Sequence, residues 1–564
     1  MTTNRHQGNY WLARSATARL SRRRFAGGVA GAAVGGTGLA LVGCGGSDDA
    51  GDGPATSGAN ANPTTPGQGE TPKKGGHFTL HMGGSPRSLD PHFDTFPYNT
   101  AITTNTNNAL LQFSSDLSKI DPDLATAMPE QPDPLSYTFK IQQGVKFQNV
   151  DPVNGREFTS EDVKYSIERQ MTDEAGKFQH AYFFRGHVEK IETPDKYTVT
   201  VKTNKPFAPF ISYIASPWTL MICKEVVDKY GDLTEHAVGT GPFILQDWQK
   251  DVKFELTKNP DYFKKDLPHI DALTWVIASD PATAATLFIS KGVDAAVLAQ
   301  SELQRVKDSR PDATLKDIPS QFWKQFRMPP TTKDQPYPKP FDDIRVREAV
   351  VRAVDKQQIL DLVYSGDGIP TFGPILPVYE QWALKEELVP FDLKKSKDLL
   401  GEAGQAGGFS GDMIWASTAP SLDQISEVLK QQLGKIGVTL NLKPMELAAY
   451  YNQTYSYKYT FSQHTPLNNP DPDENLSAYF GKNSTYYKHF NQEIFDIIDK
   501  QAEELDTTKR QQLVLDAQSK IVKDFPMAFM FTTNNHNFTD PRVKGWFWSK
   551  DLYNGRVENI WLNS

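Results

Sequence analysis

Cysteine is nearly absent from this 564-residue chain, which has only Cys44 and Cys223. Two are too few for a disulfide framework, so packing must hold the fold together. A basic excess is missing too: 60 Lys and Arg stand against 68 Asp and Glu, a formal net charge of −8. That balance argues against a nucleic-acid partner, which calls for a basic face. The sequence has neither a G-x-S-x-G nor an H-E-x-x-H, and its His and Cys are not clustered. A hydrolase and a bare metal site therefore lack their residues. No segment repeats at a fixed period. What is present is 38% hydrophobic and 11% aromatic, the make-up of a soluble globular protein. The length exceeds what one core usually serves, so two or three domains are expected.

The first 44 residues read as an address. Arg22 and Arg23, followed by Phe25, fit the twin-arginine export pattern. The Gly- and Ala-rich run Ala26 to Val42 is weaker than a spanning helix needs and suits a cleaved signal. Leu41-Val42-Gly43-Cys44 resembles a bacterial lipobox, which would leave Cys44 as a lipidated first residue. Stable anchoring takes about two lipid signals, at roughly 0.8 kcal/mol per buried CH₂. Residues 45–74 are Gly, Pro, Ser, Thr, Asn and Asp with almost no apolar side chain, which predicts a flexible tether.

The stretch Phe341 to Pro377 is the most strongly patterned part of the body. Val346, Ala349, Val350, Ala353 and Val354 recur at helical spacing and define one buried stripe, with Arg345, Arg347 and Arg352 left toward solvent or partners. Asp355 predicts the cap of a second helix, with Gln358 placed for a reciprocal bond. Gly366 to Gly368 stop that helix, and Pro370, Pro374 and Pro377 fix an extended path. Elsewhere, Tyr137, Phe139 and Ile141 alternate as a half-buried strand, and Thr159 with Asp162 marks a helix start. His77 and His81 share a strand face but stand about 13 Å apart, too far for one metal. Gly239-Thr240-Gly241 is followed by Pro242 and no lysine, which excludes a phosphate loop. Cys223, beside Met221 and Ile222, reads as a buried thiol.

The wording of Phe341 to Pro377 closely resembles a signature of the extracytoplasmic solute-binding proteins of ABC importers, family 5, the dipeptide, oligopeptide and nickel binders. Phe341, Asp342, Asp343, Arg345, Val346, Arg347, Ala349, Ala353, Asp355, Gly373, Pro374 and Pro377 all sit in place. Further blocks agree in order: Gly75-Gly76, Ser88-Leu89-Asp90-Pro91, Pro122 to Ala125, Gly144 to Phe147, Thr159 to Val163, Val238 to Phe243, and Val543 to Trp546. The loop Gln148 to Glu157 departs from the family, being longer and lacking its histidine.

The resemblance implies an α/β architecture, a two-lobed periplasmic-binding-protein fold of the second type with an extra subdomain in the first lobe. Its expected boundaries are 75–117, 236–329 and 535–564 for the first lobe, 118–235 for the subdomain and 330–534 for the second lobe. It also implies a non-enzymatic, monomeric receptor outside the cytoplasm that passes a peptide or other small solute to ABC permease subunits, without a cofactor. With side-chain chemistry it places Ser85, Trp323, Phe372, Gln463, His464, Asn468 and Asn469 at the ligand cleft. In the peptide binders an aspartate three residues before a D-P-D block holds the peptide's α-ammonium group; here that position is Asn468. An amide gives only a neutral bond, so selection for a free N-terminus is expected to weaken unless Asp471 takes over. Oligosaccharide, opine and metallophore ligands are the alternatives. Asp471, Asp473 and Glu474 do not make a calcium loop, because Pro472 holds the second position and the sixth lacks glycine.

Overall fold

In the computed structural model, one eleven-stranded sheet runs through the body of the protein. Described are residues 71–94, 96–172, 176–467, 469–484, 486–546, 548–550 and 555–563. The expectations at Arg22, Arg23, Cys44 and Asn468 lie outside the described residues.

The order across the sheet is Val438–Met445, Phe409–Ala416, Phe461–His464, Thr314–Arg327, Met527–Thr539, Ala295–Leu298, His77–Met82, Ala272–Ile277, Lys253–Lys258 and Phe243–Gln249, with Ile369–Pro370 added on Met527–Thr539. Two strands are unusually long, Thr314–Arg327 and Met527–Thr539. They pair antiparallel over both halves of the sheet, and their register breaks between Pro319 and Trp323 and again between Lys324 and Gln325. At the first break, Thr532 Oγ1 donates to the carbonyls of Ser320 (2.6 Å) and Phe322 (2.8 Å). The sheet is thus two lobes joined by one crossing pair.

Apolar side chains collect into separate cores on either side of that crossing. Phe78, Leu80, Phe254 and Leu273 pack with Val543, Ile560 and Leu562, so the C-terminal residues belong to the first core. Tyr137, Phe139, Phe158, Val163 and Phe210 form a second core around the three-stranded sheet Ser136–Lys140, Thr198–Thr203 and Val188–Asp195. The largest core holds Val346, Val350, Ile359, Phe461 and Met530. Gly239 and Gly241 return the chain from the second core to the first. A Cβ on Gly241 would lie 2.4 Å from the Thr106 carbonyl carbon, so only glycine permits that approach.

Local signals acted as the sequence suggests, with two corrections. Thr159 and Asp162 form a capping box on Ser160–Met171. Asp355 caps Lys356–Tyr364 by accepting from Gln358 N at 2.9 Å. The reciprocal bond to Asp355 N comes from Gln432 (3.1 Å), not Gln358, because Pro420–Gly434 packs against this helix start. Arg347 is not left to solvent: it is buried, donating to the Phe341 carbonyl (2.8 Å) and pairing with Asp524 (3.2 Å) at the end of Thr507–Lys523.

Candidate functional site

The crossing strands deliver a set of side chains to one face of the sheet in the second lobe. Successive side chains of a strand alternate faces, so Gln325 and Arg327 share one face of Thr314–Arg327, and Trp323 joins them there by stacking on Phe529, the cross-strand partner of Gln325. The neighbouring strand Phe461–His464 pairs Gln325 with His464 and Arg327 with Ser462, which puts those residues on the same face. Beyond it, Trp323 N donates to Pro466 O (3.2 Å), and Phe322 bridges Leu467. Trp323 stacks on Phe529 with ring centres 5.6 Å apart.

His464 is held by Tyr450, whose hydroxyl lies 2.6 Å from Nδ1. Burial lowers its pKa well below the usual value, and the charges of Arg327 and Lys324 push the same way, so the ring is neutral at pH 7. Lys324 bonds Thr465 Oγ1 at 3.2 Å, and burial brings its pKa down to about 8. Gln463 faces the other side of the strand, where its Oε1 accepts from Ser426 (2.8 Å).

Next along the chain is the helix Pro472–Phe480, capped by Asp471. Each acid at its head has a partner. Asp471 takes Arg510 in a two-pronged pair at 2.6 and 3.2 Å. Asp473 accepts from Tyr213 (2.8 Å), Ser477 (2.7 Å) and Gln501 (2.5 Å). Burial, then the nearby Asp471 charge, raises its pKa. Glu474 accepts from Tyr182 at 2.8 Å, with His180 at 3.3 Å. Asp471 is thus committed to Arg510 rather than open to a ligand's ammonium group.

Of the seven predicted residues, Trp323 and His464 share one face of the sheet, Gln463 lies on the opposite one, and Asn469 follows in the loop before Pro472–Phe480. Asn469 is tied to Asn475 through its backbone, N to Oδ1 at 3.0 Å and O from Nδ2 at 2.8 Å. Ser85 stands in the first lobe, where its hydroxyl accepts from Asp251 N (2.9 Å) in the hairpin turn after Phe243–Gln249. Phe372 is half-buried under the Lys356 ammonium. A cavity of about 710 Å³ opens beside Pro470, between the 118–235 region and the second lobe. Tyr137, Ile211, Tyr379, Trp382 and Arg510 line it, and the sequence reading named none of them as ligand contacts. Cys223 is buried, its pKa pushed up to about 12 by burial and the adjacent Glu225, and so it is no nucleophile. Among the described residues no group of three or more His, Cys, Asp or Glu is placed to hold a metal ion, and no helix is long and apolar enough to cross a membrane.

A crossing strand pair that joins two lobes defines the two-lobed fold of the periplasmic binding proteins. The chain belongs to the bacterial extracellular solute-binding proteins, family 5, whose family model matches residues 119–487. It is similar to the glutathione-binding protein GsiB of Salmonella typhimurium, 29% identical over 367 residues that cover 65% of this chain and 69% of that protein. It is also similar to di/tripeptide-binding protein 1 of Pseudomonas aeruginosa, 29% identical over 487 residues, 79% of this chain and 87% of that one. Among solved structures, the Helicobacter pylori periplasmic binding protein DppA, in complex with the peptide STSA, shares the fold. Its TM-score is 0.73 at 24% identity, over 87% of this chain and 99% of that chain.

Proposed function

We propose that this chain is the solute-binding receptor of an ABC importer. It captures a peptide-like or other small polar solute between its lobes and passes it to permease subunits. The observation that carries this reading is the single crossing pair with its register break at Pro319 to Trp323. Such a joint lets two rigid lobes part and close with little internal rearrangement. A solute that touches both lobes then shifts the balance toward the closed form. The glutathione and di/tripeptide binders among the relatives favour a peptide-like solute.

The receptor works as a monomer at the outer face of the cytoplasmic membrane. Arg22 and Arg23 direct its export, Cys44 carries the lipid, and residues 45–74 give it reach. Solute capture and release need no chemistry, so the protein is not an enzyme. Oligosaccharide, opine or metallophore binding would use the same closure.

The test is a thermal-shift titration of the full chain against a pool of di- and tripeptides and a pool of oligosaccharides. At 100 times its dissociation constant a ligand adds about 2.7 kcal/mol of stability. A saturable upward shift with the peptide pool is expected. A shift with sugars alone would move the solute class, and no shift with either pool would contradict this reading of the cargo.

A further inference from the structure

The face of Thr314–Arg327 described above has an unusual inventory. Trp323, Gln325 and Arg327 are 2%, 0% and 1% exposed, and each keeps one polar atom without a hydrogen bond among the described residues: Trp323 Nε1, Gln325 Nε2 and Arg327 Nη2. All three atoms are donors. Gln325 cannot turn its amide round, because its Oε1 already accepts from Arg327 Nε at 2.6 Å. The indole and guanidinium nitrogens have no acceptor capacity in any orientation. Arg327 Nη1 donates to the Tyr486 carbonyl (3.3 Å), and the Tyr459 hydroxyl lies near the guanidinium. The rings of Tyr479 and Tyr487 flank it at 6.0 and 5.5 Å. No carboxylate pairs with Arg327 among the described residues. The acids of the next element, Asp471, Asp473 and Glu474, are engaged with Arg510, Tyr213 and Tyr182.

Buried donors left unmet, one of them on a full positive charge, are costly, and native proteins rarely keep them without a purpose. A partner rich in lone pairs and negatively charged would satisfy the whole row at once. We propose that Trp323, Gln325 and Arg327 form a donor row for an anionic end of the solute, with Arg327 and Gln325 taking a carboxylate. Trp323, nearer the crossing point, takes a neutral oxygen of the same molecule. This deepens the receptor reading and rests on it. Access follows from how the row is covered. Tyr486 gives its carbonyl to Arg327, while its hydroxyl accepts from Gln179 Nε2 (2.9 Å) in the 118–235 region. Parting of the lobes breaks that tie and frees the cover.

The experiment uses the full chain and two matched pools, tripeptides with free C-terminal carboxylates and the same tripeptides as C-terminal amides. Calorimetric titration of the wild type should show the acids binding at least tenfold tighter. Arg327→Met should remove that preference, and Trp323→Phe should cost a few-fold for both pools. Ligand-free melting gives a readout that needs no cargo. Arg327→Met should melt at or above the wild type, because it removes an unpaired buried charge. Equal binding of acids and amides by the wild type would overturn the donor row and leave the receptor standing. A ligand-free Arg327→Met that melts far below the wild type would also overturn it, by making the arginine structural. If neither pool binds, the peptide cargo fails, and the melting comparison alone decides the row.

Discussion

Two neighbouring regions of the second lobe carry buried polar groups in opposite condition. At the head of Pro472–Phe480, the acids Asp471, Asp473 and Glu474 each hold protein donors. One strand away, Trp323, Gln325 and Arg327 each hold an unmet donor. A satisfied buried network rigidifies a fold, whereas an unsatisfied one marks where something is missing. The acids, of which only Asp471 was a candidate ligand group in the sequence, are framework. The strand, of which only Trp323 was a candidate cleft residue in the sequence, carries the open valences.

The comparison can be broken by mutation, and the largest effect should come from the acids. Asp471→Asn leaves Arg510 buried without its main partner, a loss of about 3 kcal/mol or more in urea denaturation. A change within experimental error would mean that the pair is not structural. A second buried acid provides a pH test. Burial alone would raise the Asp123 pKa, but Arg556 and Lys264 outweigh burial and hold it at about 2, against 3.8 for the unperturbed group. A lowered folded pKa means that its stabilisation is fully present above 3.8 and is lost as the pH falls toward 2. The loss is about 2 kcal/mol by linkage. Asp123→Asn should flatten that part of the acid denaturation curve, and an unchanged curve would assign the acid sensitivity elsewhere. The smallest effect sharpens the contrast: ligand-free Arg327→Met protein should melt at or above the wild type, since a well-packed apolar replacement of an unpaired buried charge is neutral or stabilising.

How much of this was legible in the sequence depends on how far apart the interacting residues lie in the chain. The capping box at Thr159 and the cap at Asp355 are local, and they form as their spacing predicts. The partner on Asp355 N is Gln432, and Arg347 is buried against Asp524; neither contact has a local signal. Trp323, Gln463 and His464 could be named from the family resemblance and their chemistry. Arg327 and Gln325 could not, because nothing in the local pattern of Phe322-Trp323-Lys324-Gln325-Phe326-Arg327 shows that both of its faces are covered. Burial of that face depends on tyrosines at 450–459 and 479–487, and their density is the one sequence feature that hints at it. The cavity beside Pro470 is built from many separate parts of the chain, from Phe113 to Lys550, and has no sequence motif at all.

The central claim is that the solute is read by its anionic end rather than by a free amine. The most direct measurement is calorimetric titration of the full chain with one tripeptide in three forms: unmodified, N-acetylated and C-terminally amidated. Acetylation should change affinity by less than threefold, while amidation should weaken it at least tenfold. Loss of binding on acetylation, with the amide binding as well as the acid, would contradict it.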